Sequence, residues 1–361
     1  MCAEGFFMNK QNTRIAIGII VGVGLIASLY LWLIAALYFW PNRCVDLDSG
    51  HRLVMGTFAR VVAVAADSST AKKCIDAALA EIEKVDELMS DYKSDSEISE
   101  VNRDGFNRAV KVSRSTYKVL QRSVEFSKLT DGAFDVTVGP LVDQWRAAAD
   151  ANSVPSDTEL ATARSKVGYE KLILDANEMS VRFAVEGMRI DLGGIAKGYA
   201  IDKAIEALQN SGAVGGMVDI GGDIRCFGVP AGKKDSWLVG LQDPNKAVVG
   251  IGGSGILLKL KLRNRAVATS GDYQQFILIE GERHSHIIDR KTAAGARGLS
   301  SVTIIAESAT DADALATAVS VMGAEKGLTL IEAIPETEAI LISSQPQYKL
   351  LKTTGAEKYI E

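Results

Sequence analysis

The spacing of apolar residues changes several times along the chain, and each spacing predicts a different element. From Ile15 to Trp40, "IAIGIIVGVGLIASLYLWLIAALYFW" runs 26 residues without a charge, long enough for a helix to cross a hydrocarbon layer with some tilt. Lys10 and Arg14 precede it, Trp32, Tyr38 and Trp40 populate its second half, and Pro41 ends it. That arrangement predicts a cytoplasmic amino terminus and an exported body. After the polar stretch "PNRCVDLDSGHR", Val61, Val62 and Val64 in "LVMGTFARVVAVAA" read as a buried strand. Between Ser69 and Tyr92 apolar residues return every three or four positions, from Cys74 and Ile75 to Leu88 and Met89, which predicts a helix capped by Ser69 or Thr70. A second helix is expected over Ser115–Leu129, stopping where Gly132 of "TDG" can take a left-handed cap. From about residue 170 the runs shorten to strand-like pieces such as "KLILDA", "GMVDIGGDIRCFGV", "WLVGLQ", "GILLKLKL", "FILIEG" and "SVTIIA", broken by glycine turns, with helices near 198–210 and 312–326. Strands and helices without regular βαβ alternation predict an α+β (mixed α/β) fold around an antiparallel-rich sheet. The chain thus divides into a cytoplasmic tail at 1–14, a transmembrane anchor at 15–40, a tether at 41–52 and one large domain at 53–361.

The apolar run is long for a cleavable signal and no small-residue cleavage site follows it, so the anchor is expected to remain attached. Cys44 stands where a lipid could be attached, but Arg43 and Pro41 occupy the places where such a signal carries small and leucine-like residues. Cys2, Cys44, Cys74 and Cys226 are scattered without a C-x-x-C pair, so neither a zinc knuckle nor a disulfide framework is expected. Residues 1–52 carry one net positive charge, which leaves −6 on the remainder of a chain whose total is −5. An acidic body with no basic stripe excludes nucleic acid as a partner.

Five segments carry candidate chemistry. In "DLGGIAKGYAID", Asp191 to Asp202, the glycines Gly193 and Gly194 permit unusual turns, and Lys197 and Gly198 open a helix whose amino end favours anions. An ordinary strand-to-helix turn fits the segment equally well. "VDIGGDIR" repeats the double glycine, where something could approach the backbone closely. "AVATSGDY" sets Thr269, Ser270, Gly271 and Asp272 at the end of an apolar strand, hydroxyls and bare amides that suit phosphate oxygens. In "TDADALATAVSVMG", Asp313 and Thr317 are four apart on a helix and share a face, offering a carboxylate and a hydroxyl to one hard cation; alternatively Asp311 or Asp313 caps that helix. "HSHIID" places His284 and His286 on one face if it is a strand, with Asp289 close behind, although two solvated rings are the simpler reading.

Taken in order, these segments together with "MGTF", "MSDYKSDSEISEVN", "GAFDVTVGPLVDQW", "LQDP" and "ADALATA" resemble one family, the ApbE-type FAD:protein FMN transferases, over about residues 53–345. The resemblance implies a T-fold-type α+β domain at 53–361 that binds FAD with Mg²⁺ and moves FMN onto a Thr or Ser hydroxyl of an acceptor protein, releasing AMP. It also implies metal ligands at Asp313, Thr317 and the Ala196 carbonyl. It places FAD contacts at Met55, Asn102, Asp191, Tyr199, Thr269, Ser270, Gly271 and Asp272, with Lys197 close to the phosphates. His286, with Asp289, would be the active-site histidine segment and His284 its dispensable neighbour. The implied setting is the periplasmic side of a bacterial inner membrane, and the implied partners are exported FMN-binding subunits of respiratory complexes or extracytoplasmic electron carriers.

One departure stands out. After Asp289 the family pattern usually continues with proline and then a Thr-Gly pair, whereas this chain has Arg290, Lys291, Thr292 and Ala293, so the turn chemistry is altered. Two other functions stay open beside transfer: hydrolysis of FAD to FMN and AMP, and non-catalytic FAD binding outside the cell. Asn102 in "SEVN" is the candidate determinant between water and a protein hydroxyl as acceptor.

Overall fold

The computed structural model describes residues 28, 30, 44–232, 234–244, 255–271, 276–344 and 348–361. Apart from Ser28 and Tyr30, the apolar run at 15–40 lies outside the described residues, and no helix among those described is long and apolar enough to cross a membrane. Val45–Glu361 forms one compact unit.

Its centre is an eight-stranded sheet in which spatial order follows chain order: β1 (Val45–Val54), β2 (Thr57–Ala65), β3 (Gly215–Ile220), β4 (Asp223–Phe227), β5 (Arg265–Gly271), β6 (Leu299–Ala306), β7 (Glu338–Ser343) and β8 (Leu350–Lys352). Every neighbouring pair is antiparallel, as the short glycine-bounded runs predict. Residues 45–52, read from sequence as tether, are most of edge strand β1. The alternation of Val45 and Leu47 with Asp46 and Asp48 pairs this stretch with β2 and brings the start of the folded unit forward to Val45.

The helices are α1 (Ser68–Met89), α2 (Glu97–Asp104), α3 (Arg114–Leu129), α4 (Gly139–Ala151), α5 (Asp157–Ser165), α6 (Ala196–Asn210), α7 (Ala309–Met322) and α8 (Ala324–Glu332). The cap of α1 is Asp67, whose Oδ1 accepts from the Thr70 amide at 2.8 Å, in place of Ser69 or Thr70. Helix α3 ends as expected in a left-handed turn, with Gly132 at φ 73° and its amide donating to the Ser127 carbonyl at 2.7 Å.

Strand alternation sorts the sheet into two buried faces. Ala59, Val61 and Ala63 of β2, Ala266 and Ala268 of β5, and Val302 and Ile304 of β6 pack with Ile82 of α1, Ile201 and Ile205 of α6 and Leu315 of α7 in one core. The alternate positions Val62, Val64, Val267, Ile305 and Ile340 are buried on the opposite face. Each large aliphatic side chain removed from water in this way contributes roughly 1.5–3 kcal/mol. A satellite core of Leu141, Trp145 and Ala148 from α4 with Ile279, Ile288 and Ala293 seats the 276–294 segment on that helix.

Candidate active site

The site is built where the amino ends of α6 and α7 meet the ends of β4 and β5. Asn102 of α2 clamps the chain entering it: its Nδ2 donates to the Ile190 carbonyl at 3.0 Å and its Oδ1 accepts from the Ile190 amide at 2.7 Å. The Asp191 amide donates to the Val136 carbonyl at 2.8 Å, and Asp191 Oδ1 accepts from the Gly193 amide at 2.8 Å. Asn102 and Asp191 thus shape the glycine loop with their side chains.

Neither Gly193 nor Gly194 adopts a left-handed conformation. Gly194 is required for space, since a Cβ there would lie 2.8 Å from Thr317 Oγ1. The reverse holds for "VDIGGDIR". Gly221 and Gly222 take φ 64° and 94° in the two-residue turn joining β3 to β4, and a Cβ at Gly222 would meet nothing within 4 Å. Gly194 therefore serves close approach, whereas the second pair makes a hairpin turn in which Gly221 also lies close to Thr57, a Cβ there falling 3.0 Å from Thr57 Cγ2.

Asp313 does not cap its own helix. Ser308 does, accepting from the Asp311 amide at 3.1 Å, and Asp311 pairs with Arg122 at 3.0 Å. Asp313 Oδ2 instead accepts from the Gly198 amide of α6 at 3.0 Å, while its Oδ1 lies 3.9 Å from Lys197 Nζ. Helix α6 has no side-chain cap from Ile195, so a carboxylate from α7 satisfies one of its free amides. Lys197 also bonds Asp223, whose other oxygen accepts from the Thr269 amide at 3.0 Å. Below this cluster Asp202 accepts from Arg225 at 2.6 Å and from the Ala309 and Thr310 amides at 2.9 Å each, joining α6 to α7 and β4.

Burial lowers the proton affinity of Lys197, but the Asp223 and Asp313 carboxylates outweigh it and hold the ammonium charged. Burial lifts Asp313 to about 7, with Asp223 and Asp202 adding to the rise and Lys197 and the Gly198 amide opposing it. Thr269 Oγ1 lies 2.9 Å from Thr303 Oγ1 on the facing strand. Ser270 and Gly271 end β5 opposite Val302 and Ser301, and Asp272 lies outside the described residues. Met55, at φ 52°, and Gly56, at φ 70°, form the tight turn between β1 and β2. Tyr199, in the first turn of α6, packs against the main core.

The histidine segment is a strand end and not one continuous strand. Pairing of Phe276–Ile279 with Glu282–Ser285 stops at Ser285, so strand alternation places His284 alone, and half-buried His286 sits in the bend before Ile288–Asp289. The His284 ring packs on Trp145 with centroids 5.1 Å apart, and its Nε2 is buried without a hydrogen-bond partner. His284 is thus part of the seat that holds the segment on α4. Asp289 Oδ1 accepts from the Lys291 amide at 2.8 Å, and the Asp289 carbonyl accepts from Ala293 at 2.8 Å.

The structure brings together Lys197, Asp313, Thr317 and the glycine loop. It adds Asp223, Thr303, Asp202 and Arg225, which sequence reading missed. The only signal for Asp223 was the polar residue directly after a double glycine. Asp313 and Thr317 offer oxygen atoms, with the Ala196 carbonyl at the start of α6 as a further candidate, donors of the kind a hard cation such as Mg²⁺ takes, and the Lys197 ammonium stands 3.9 Å from Asp313 Oδ1. No group of three or more His, Cys, Asp or Glu gathers as a metal site among the described residues. A cation here would therefore draw its other ligands from water and substrate oxygens.

A helix amino end, a half-buried lysine among carboxylates and a paired-hydroxyl strand end form a site whose chemistry suits phosphate oxygens. The ApbE family model matches residues 55–341. An FAD:protein FMN transferase of Vibrio cholerae is 34% identical over 300 residues, covering 82% of this chain and 86% of the relative. One of Treponema pallidum is 33% identical over 311 residues, covering 81% and 84%. Among solved structures, the ApbE protein of Thermotoga maritima matches with a TM-score of 0.77 at 32% identity, covering 88% of this chain and 99% of that one. The flavin transferase ApbE from Vibrio cholerae matches with a TM-score of 0.72 at 30% identity, covering 88% and 99%. The chain belongs to the ApbE family.

Proposed function

We propose that this protein is an Mg²⁺-dependent FAD:protein FMN transferase, joining FMN through a phosphoester bond to a Thr or Ser of an acceptor protein and releasing AMP. The observation that carries this reading is the meeting of Asp313, Thr317, Lys197 and the glycine loop at one helix amino end, in a chain whose relatives carry that name. Asp313, Thr317 and the Ala196 carbonyl would hold the cation, which when bound supplies neutralising charge at the pyrophosphate. Lys197 adds a second positive charge beside the phosphates, and Asp223 holds it there while fixing the Thr269 amide. The acceptor oxygen attacks the FMN phosphorus, its proton passes to the His286 imidazole, and the bond from that phosphorus to AMP breaks. Asp289 orients the turn that carries the imidazole.

In this proposal the apolar run at 15–40 anchors the domain on the extracytoplasmic face of the bacterial inner membrane. The acceptor is an exported flavoprotein subunit of a respiratory complex or an extracytoplasmic electron carrier. Incubation with FAD, Mg²⁺ and such an acceptor, followed by mass spectrometry, tests the reading. Covalent FMN on the acceptor with free AMP is expected. Free FMN with AMP would instead identify a pyrophosphatase, and unchanged FAD a binding protein.

A further inference from the structure

The turn after Asp289, where this chain departs from the family pattern, is closed by a charged clasp. Arg290 Nη1 donates to Asp135 Oδ2 at 2.9 Å and Arg290 Nη2 to Glu170 Oε1 at 3.0 Å, and its guanidinium lies 5.0 Å from the Tyr169 ring centroid. The same side chain covers Gly132, where a Cβ would sit 2.3 Å from Arg290 Nε. Around it, Lys291 pairs with Asp131, Arg164 donates to the Lys291 carbonyl at 3.0 Å, and Trp145 Nε1 donates to the Ala293 carbonyl at 2.9 Å. Ala293 is held at φ 58°, a conformation that favours glycine.

Asp135 is the link onward. It is buried, accepts from the Thr137 amide at 2.9 Å and the Tyr169 amide at 2.9 Å, and begins a segment that runs beside Arg189–Asp191. Val136, its neighbour, accepts the Asp191 amide at the mouth of the glycine loop. A bonded path therefore runs from the turn behind His286 through Arg290, Asp135 and Val136 to Asp191 and the Gly193 amide, and the next residue, Gly194, packs close to Thr317.

We propose that Arg290 is a positioning residue that holds the His286–Asp289 turn in register with the glycine loop. The proposal rests on the function assigned above. Nη1 donates to Asp135 at 2.9 Å and to Glu170 at 3.1 Å while Nη2 donates to Glu170 at 3.0 Å, a planar fork whose paired bonds fix direction as an ammonium's single nitrogen does not.

The test compares wild type with Arg290→Met, Arg290→Lys, Asp135→Asn and Glu170→Gln. Glu170 is half-exposed, so its variant loosens the clasp without touching the buried carboxylate. Transfer kcat is expected to fall up to about 100-fold in Arg290→Met and less in Arg290→Lys, with a smaller rise in KM for FAD because the glycine loop shifts as well. Asp135→Asn should share the defect, Glu170→Gln should show a smaller one, and added guanidinium ion should restore part of the rate to Arg290→Met. Unchanged kcat in Arg290→Met, or full activity in Arg290→Lys, overturns the proposal. Hydrogen exchange read on the same proteins without substrate gives an answer independent of transfer. Faster exchange at 191–197 as well as at 286–294 in the variants supports the path, and faster exchange at 286–294 alone overturns it. If wild type transfers no FMN, the assigned function fails while the exchange result still decides the clasp.

Discussion

Asp313 of α7 and Gly198 of α6 are joined by a 3.0 Å hydrogen bond from the Gly198 amide to Asp313 Oδ2, so one helix caps another across 115 residues of chain. The bond is possible because a Cβ on Gly198 would come within 2.3 Å of the Ala309 carbonyl oxygen, leaving glycine alone able to let the two helix ends meet. The carboxylate that closes α6 is the same one that offers oxygen to a cation.

Asp313 makes stability depend on pH. Its folded pKa of about 7 lies above the ordinary carboxylate value near ~4. Between those values the unfolded chain has released the proton and the folded chain still holds it, so this contribution favours folding at low pH and is lost as pH rises toward 7. Metal-free wild type should therefore melt at a lower temperature at pH 8 than at pH 5.5. Asp313→Asn, which keeps an acceptor for Gly198, should flatten that difference and lose Mg²⁺-dependent transfer. An unchanged pH slope in thermal melts would remove Asp313 as its source.

Asp223 and Lys197 should behave as a coupled pair. Asp223 is 2% exposed and the Lys197 side chain 31%. Removing Lys197 therefore leaves a buried carboxylate unpaired, costing up to about 3–5 kcal/mol, and removing Asp223 leaves an ammonium that water still reaches, costing less. Lys197→Met should destabilise the protein strongly in urea titrations, Asp223→Ala by less, and the double variant by less than their sum. Strict additivity would show that the pair is uncoupled.

The two glycine pairs should fail in different ways. Gly194→Ala pushes a methyl to within 2.8 Å of Thr317 Oγ1, so FAD turnover should drop with a modest stability loss. Gly222→Ala, at φ 94° in open space, should cost about 1–3 kcal/mol of backbone strain while leaving the KM for Mg²⁺ unchanged. Metal titrations of both variants beside wild type separate the two effects.

Replacing His286 with Ala should remove most transfer while FAD still binds, because general acid–base help is worth about 10²- to 10⁴-fold. His284→Leu should fold and transfer normally, since Leu can pack on Trp145 without the unpartnered Nε2. Single-turnover transfer and FAD titration on both variants decide the matter. A larger rate loss in His284→Leu would reverse the assignment.

The mature protein should retain the residues before Cys44, because the apolar run lacks a cleavage signal. Amino-terminal sequencing of membrane-extracted protein checks this, and a start at Cys44 would falsify it.

By itself the sequence determined α1, α3, α6 and α7, the strand runs after residue 170 and most of the motif-bearing segments, while α2, α4, α5, α8 and edge strand β1 went unread. The apolar rhythm of Cys74 to Met89 and the glycine-bounded runs after residue 170 depend on spacing within one element, and one element's periodicity is written in adjacent residues. Asp313 and Thr317 were legible for the same reason, being four apart on one helix. Only the tertiary structure decided what those residues meet. Lys197 finds Asp223 from 26 residues away, Asp202 ties Thr310 from 108, and Arg290 reaches Asp135 from 155. No local periodicity encodes such partners, because they follow from which strand lies beside which and which helix ends converge. The roles of the two double glycines were open on the same ground. Whether a missing Cβ serves a positive φ or a close neighbour depends on the neighbour, and at Gly194 that neighbour is Thr317, brought there by the packing of α7 against α6.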